Sequence, residues 1–394
     1  MSTSQNASWS LIHILLILIF AILHLPFWAV YYLHPQLRQN HEWSYRQALA
    51  NTLIKIYLRT VSAIQMKSPL SLEPLREGGR FVVMHPAKRG LYKGVAVDKE
   101  IAPESIGGTW YPTPYPPSNS HFGRSSPSEG RMIVLHFHGG GYIIGDGRSS
   151  SCAFLASTLL SNTPSSHVFC PQYRLSCNPG GRFPAPLQDA ITAYSYLIHT
   201  LRIPASRIVL SGDSAGAHLA LALLRYVAEL DDPSLLPAPK CAWLFSPWCN
   251  LPAATNERVW ASNPNYRTDY IPASLASWAA RLFLRDVELS PSTERYVAPV
   301  RHPFVLPCPV LVVTGGCEVL FAENEKLVRK FRKVAQNGFR VEFFIEAQAP
   351  HDVLLMGGVQ GFREEAKRCA MKAGDFAARL RSRPTDQLNG EIWV

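Results

Sequence analysis

The segment RIVLSGDSAGAHLALAL, residues 207–223, most constrains what this chain can become. A β-branched apolar run enters Gly-Asp-Ser-Ala-Gly and leaves at once as an Ala/Leu-rich helical pattern, so strand must turn into helix within about one residue. A serine on so sharp a turn needs very small neighbours two positions to either side, because a Cβ there collides with the flanking strand or helix. Gly212 and Gly216 meet that need around Ser214. A strand feeding directly into a helix is also the repeating unit of a parallel sheet with crossover connections.

The rest of the sequence extends this pattern. MIVLHF, HVFCPQY, RIVLS, CAWLFS, PVLVVTG and RVEFFI are short apolar runs, and most are followed by helical patterns: Ala153–Ser161, Leu187–Leu201, Ala215–Leu230, Leu320–Asn337 and Val359–Leu380. Apolar strands separated by helices imply an α/β fold with a mostly parallel central sheet covered by helices on both faces. Upstream, RFVVMH and Tyr92–Val97 have strand character, GGTWYP closes a first hairpin region, and the Pro/Ser/Gly-rich residues 113–130 read as an exposed loop. Residues 247–307 form a long aromatic insertion between CAWLFS and PVLVVTG. Such an insertion is expected to fold over the C-terminal edge of the sheet, where ligands bind in this architecture.

The chemistry is read from Ser214 outward. A serine hydroxyl needs a base to accept its proton, and an imidazole in a late loop is the expected base. APHD after the last strand supplies His351. The imidazole in turn needs a carboxylate to hold its tautomer. Glu318, nearest the end of PVLVVTG, is the first choice; Glu323 is the alternative, and Asp352 adjoins the histidine too closely to reach round its ring. The triple glycine of LHFHGGG follows a strand, where its amides can turn toward a developing oxyanion. The expected donors are the amides of Gly140, Gly141 and Ala215, with His138 bracing the loop. His136 and His138 have no third ligand at metal-binding spacing, so no metal is expected.

HGGG at 138–141, YRL at 173–175 with FPAPLQDA at 183–190, GDSAG at 212–216 and the late APHD together resemble the hormone-sensitive-lipase-like branch of the α/β-hydrolases. The resemblance covers roughly residues 130–380. It implies an α/β-hydrolase fold and a serine esterase or deacetylase acting on small acyl groups of a hydrophobic compound such as a sterol or terpenoid, with no cofactor. Members of that branch include membrane-anchored arylacetamide deacetylases and steryl acetyl hydrolases. The usual acid of the branch is an aspartate in a D-x-L-x-D-E pattern, whereas Glu318 stands in CEVLFAE here. Two other readings share the scaffold: acyl transfer to an alcohol with the same triad, and a ligand-binding protein without turnover.

Composition enters last. With 47% hydrophobic and 17% charged residues the chain can bury a full core, and its net charge of +10 comes with no nucleic-acid motif. The eight cysteines show no CxxC pair and read as buried free thiols. Residues 11–33 carry no Asp, Glu, Lys or Arg, long enough for a transmembrane anchor with a membrane-lipid contact. Arg38 and Arg46 follow the span, so the charge bias points the large part to the cytosol, whereas anchored members of the resembled branch commonly place it in the lumen; the side stays open, and the endoplasmic reticulum is the expected membrane by resemblance. The expected organisation is a tail over 1–10, the anchor over 11–33, a helical collar or cap over 34–78, a catalytic domain over 79–385 with a cap insertion at 247–307, and a tail over 386–394.

Overall fold

The computed structural model describes residues 23–116, 131–335 and 340–380. Eight strands form one sheet: β1 (Phe81–Met84), β2 (Ile106–Tyr111), β3 (Met132–Phe137), β4 (Ser165–Gln172), β5 (Ile208–Asp213), β6 (Cys241–Phe245), β7 (Val310–Gly315) and β8 (Val341–Glu346). Their spatial order is β1-β2-β4-β3-β5-β6-β7-β8, and β2 runs antiparallel to both its neighbours while all pairs from β4 to β8 are parallel. The helices are α1 (23–31), α2 (Tyr45–Ala63), α3 (Ser149–Asn162), α4 (Ala185–Ser195), α5 (Ala215–Leu230), α6 (Leu251–Ala254), α7 (Glu257–Ala261), α8 (Ala273–Phe283), α9 (Pro291–Val297), α10 (Phe321–Val334), α11 (Val353–Gln360) and α12 (Arg363–Arg379).

The apolar runs are continuous because both faces of the sheet are covered. Successive side chains of a strand point to opposite faces. On β3, Met132 and Val134 join the core under α3, α11 and α12, whereas Ile133, Leu135 and Phe137 join the core under α4, α5 and α10. Every residue of β2, β3, β5, β6 and β7 is buried. All eight cysteines are free, six of them buried.

Three expectations change. Tyr92–Val97 is not a strand: Gly94 takes left-handed backbone at φ 52, and Gly94–Ala96 closes a 3-10 turn. The helix read from Val359 to Leu380 is two helices, since Gly361 at φ 84 caps α11 and α12 starts afresh at Arg363. The third change concerns the N-terminus. The expected single-pass anchor over 11–33, with its endoplasmic-reticulum placement and lipid contact, is overturned, because no helix among the described residues is long and apolar enough to cross a membrane. Residues 11–22 of that span lie outside the described residues, as do the tails at 1–10 and 386–394 and most of the loop read at 113–130. The expected end of the span belongs to the folded body: Tyr32 is buried with its hydroxyl 2.8 Å from Thr52 Oγ1 on α2, and Arg38 donates to the carbonyls of Tyr32, Leu33 and Trp43.

Candidate active site

β5 ends at Asp213, and Ser214 turns the chain with φ 52 and ψ −117 before α5 begins at Ala215. That left-handed backbone is held from both sides: Ser214 N–H donates to Phe245 O at 2.8 Å, and Trp248 N–H donates to Ser214 O at 3.1 Å. The flanking glycines are obligatory by contact. A Cβ on Gly216 would stand 1.9 Å from Phe137 O on β3, and one on Gly212 would stand 2.3 Å from Gly216 O.

His351 follows β8 and places Nε2 2.8 Å from Ser214 Oγ. Its other nitrogen, Nδ1, lies 3.5 Å from Glu318 Oε2. That separation is longer than a well-formed N–H···O bond, so the pair acts through charge in a site closed to solvent. Burial alone pushes the His351 imidazole down, but the Glu318 carboxylate, with Asp269 behind it, reverses the sign and raises it to about 9. Glu323, the alternative acid, is turned away and accepts from Asn250 Nδ2 instead.

Glu318 is held by residues that sequence reasoning did not find. Thr314 Oγ1 and Ser246 Oγ each donate to its carboxylate at 2.5 Å, and Asn324 Nδ2 donates at 2.9 Å. The signal available was position: Ser246 and Thr314 sit at the C-terminal ends of β6 and β7, the edge where sites of this architecture assemble. Asp269, from the insertion, was also missed; its carboxylate accepts from the backbone N–H of Val319 at 2.7 Å and of Ile271 at 2.9 Å.

The glycine loop lies across from the serine. Gly140 and Gly141 have φ of 103 and 63, and a Cβ on Gly140 would stand 2.2 Å from Ile144 O. Among the described residues neither amide donates to a protein acceptor, and both glycines line the same cavity as Ser214 and His351. Ala215 is the first residue of α5, where an amide has no partner within its own helix. His138 stacks on Tyr173 with ring centres 4.4 Å apart and donates from Nδ1 to Gly139 O at 2.7 Å, while Tyr173 Oη donates to His138 O at 2.6 Å. His136 contacts Ser211 and Asp213. Burial lowers both histidines to about 4. The YRL and FPAPLQDA motifs meet as a buried pair, Arg174 Nη2 donating to Asp189 Oδ1 at 2.8 Å and Nε to the same carboxylate at 3.0 Å. They support the wall rather than face the serine.

The cavity over Ser214 measures about 780 Å³. Its roof includes Leu53, Ile54 and Tyr57 of α2, and its walls include Trp248, Trp260 and Tyr270 of the insertion. A second cavity of about 620 Å³, lined by charged residues such as Asp98, Arg182 and Arg295, contains none of the reactive groups.

Residues 134–355 match the alpha/beta hydrolase fold family. An acetyl-hydrolase of Streptomyces hygroscopicus is 31% identical over 215 residues, 52% of this chain and 62% of that protein, so the chain spans less than two thirds of this relative. The esterase LipU of Mycobacterium tuberculosis is 30% identical over 257 residues, covering 64% of this chain and 79% of that one. Among solved structures, an esterase from the bacterial hormone-sensitive lipase family superposes with a TM-score of 0.56 at 20% identity, over 86% of this chain and 99% of that one, a likeness of fold. With more than half of the sequence inside the family match and esterases among its relatives, the chain belongs to the alpha/beta hydrolase fold family and is a serine ester hydrolase.

Proposed function

We propose that this protein is a carboxylesterase that removes short, acetyl-like acyl groups from a hydrophobic alcohol of sterol or terpenoid size, with Ser214, His351 and Glu318 as its catalytic residues. The observation that carries the reading is the 2.8 Å contact between Ser214 Oγ and His351 Nε2 at the floor of a largely apolar cavity of about 780 Å³. Ser214 Oγ attacks the ester carbonyl as its proton passes to His351 Nε2. Glu318 faces the imidazolium that forms, and the amides of Gly140, Gly141 and Ala215 receive the carbonyl oxygen as it gains charge. His351 then returns the proton to the departing alkoxide, leaving an acyl group on Ser214. Water, deprotonated by His351, attacks that acyl group and releases the acid. No cofactor takes part in this sequence. Residues 34–78 and 247–307 serve as the cap, and their apolar side chains exclude water from the alcohol side.

The acetyl-hydrolase relative supports a small acyl group. The aromatic lining supports a bulky apolar alcohol, because burying such a surface is worth about 25 cal/mol per Å². Purified protein and its Ser214→Ala variant, assayed with p-nitrophenyl acetate through dodecanoate and with acetylated sterols and terpenoids, test the reading. Ser214-dependent release that falls with acyl length, and acetate released from bulky esters, are expected. A steady rise in kcat/KM from C2 to C12 overturns the acyl preference. Product appearing as a new ester of an added alcohol replaces hydrolysis by acyl transfer. Binding without Ser214-dependent turnover replaces both.

A further inference from the structure

Behind the proposed triad lies a second group of buried titratable side chains that the hydrolytic steps do not use. His136 on β3 has Nε2 2.6 Å from Asp213 Oδ1 and Nδ1 3.0 Å from Ser211 Oγ. Asp213 is the residue before Ser214, and its Oδ2, buried and without a donor among the described residues, faces the carboxyl of Asp352, the residue after His351. The two carboxyls converge under the glycine loop: a Cβ on Gly139 would stand 2.2 Å from Asp213 Oδ2 and 3.2 Å from Asp352 Oδ2. His136, Asp213 and Asp352 are all 2% exposed or less. The cluster therefore touches the nucleophile turn, the histidine loop and the oxyanion loop at once.

We propose that Asp352 carries a proton and donates it to Asp213, so that a neutral acid and a carboxylate tie the three catalytic segments together as positioning residues for the reaction. This rests on the Ser214–His351 reading and deepens it. Two buried like charges facing each other cannot both persist, and Asp213 Oδ2 has no other donor among the described residues, so one of the pair holds a proton shared between them. Its place follows from the partners. Burial lowers His136 to about 4, which leaves it neutral with a single N–H, donated from Nε2 to Asp213. Asp213 thus receives the N–H of His136 on Oδ1 and leaves Oδ2 to accept from Asp352, and has the acceptor role. Asp352 uses Oδ1 to accept the Leu355 N–H at 3.2 Å, capping α11, and presents Oδ2 to Asp213. One oxygen accepting and the other donating is the pattern of an asparagine side chain. Burial, and then the charge of Asp213, push the Asp352 carboxyl well above its ordinary range, while Asp213 rises to about 6.

The groups facing Asp352 are Asp213 from β5, His136 from β3, His351 beside it and Tyr270 from the insertion. Glu318 connects through Ser246 Oγ, which accepts the Asp352 N–H at 3.1 Å and donates to Glu318. A neutral Asp352 leaves Glu318 and Asp269 as the carboxylates that set the charge of His351.

The pair is chemically asymmetric, and the test uses that asymmetry. Asp352→Asn keeps both the acceptor and the donor, and Asn tolerates the left-handed φ of 50 at this position. It is expected to keep kcat within about threefold of wild type, whereas Asp352→Ala loses about tenfold in kcat with little change in KM. Asp213→Asn turns an N–H₂ toward groups that are themselves donors and is expected to lose roughly 30-fold or more. Infrared difference spectra of wild type minus Asp352→Asn at neutral pH should contain a protonated-carboxyl C=O band. Equal damage from Asp352→Asn and Asp352→Ala, or no such band, overturns the proposal. If Asp213→Asn does not fold, as judged by circular dichroism, the two Asp352 variants and the infrared band decide alone. Ser214→Ala with wild-type activity defeats the underlying reading instead, so the two failures are distinguishable.

Discussion

His351 must be neutral to accept the Ser214 proton, yet its surroundings keep the imidazolium to high pH. Its value is raised to about 9 although burial works the other way, so the carboxylates around it dominate. A base that stays protonated up to about 9 is inactive below that pH and gains activity as pH rises through it. The acid limb of kcat/KM is therefore expected near 9, well above the ordinary histidine value of about 6.5. Glu318→Gln should move that limb down toward about 6.5 and lower kcat by roughly 10²-fold or more, since the imidazolium formed in the transition state loses its counter-charge. A limb that stays put in this variant defeats the assignment of Glu318. Gly216 makes a separate prediction about stability. With Phe137 O only 1.9 Å from a Cβ at this position, Gly216→Ala has to push α5 off β3. The expected cost is roughly 3 kcal/mol or more, read as a fall in the denaturation midpoint.

Among the elements, α2 and the insertion decide what reaches the serine. Tyr57 and Leu53 are exposed on α2 yet line the cavity. Tyr57→Ala removes part of the roof and is expected to raise KM about fivefold for a bulky acetylated alcohol, with p-nitrophenyl acetate changed less than twofold. An equal change for both substrates removes α2 from the binding surface. Which elements could be read from the sequence follows from how local their causes are. The strands β3 and β5 to β7 are legible because both faces are buried, leaving uninterrupted apolar runs, while β4 and β8, partly exposed, keep enough Val and Phe to read as strands. Ser214 was legible because its turn is encoded within five residues, 212–216. Tyr92–Val97 has the aromatic and β-branched residues of a strand, but only Tyr92 and Ala96 are buried, packed inward from turns, and Val97 is exposed: Tyr92 Oη bonds Thr192, and Lys93 N–H donates to Tyr226 Oη. The Ser246 support of Glu318 and the facing of Asp213 and Asp352 were invisible for the opposite reason, since each joins residues from separate strand ends. The apolar N-terminal stretch gave a span by composition alone, whereas Arg38 and Thr52 draw its end at Tyr32 into the folded body.

Across the whole molecule, one lysine links the start of the folded body to the middle and late parts of the site. Lys55 on α2 donates from Nζ to Tyr266 O, and to Asp269 O at 2.9 Å, and lies 3.9 Å above the Tyr266 ring centre. Asp269 in turn accepts the backbone N–H of Val319, the residue after Glu318. The roof is thereby connected to the insertion, and the insertion to the loop that carries the acid. Lys55 does not line the cavity and touches none of the reacting groups, so its removal separates this linkage from the chemistry. Lys55→Met keeps the apolar stem but leaves two carbonyls without their donor, at a cost of about 1–3 kcal/mol. The thermal midpoint should fall, and amide hydrogen exchange should quicken in both α2 and residues 264–271 while the strands keep their protection. Turnover of p-nitrophenyl acetate should change less than twofold, whereas KM for a bulky ester should rise, because only the larger alcohol needs roof and insertion fixed together. Faster exchange in α2 with no change in 264–271 or in bulky-ester KM means that the two cap segments move independently, and the linkage is then without consequence for binding.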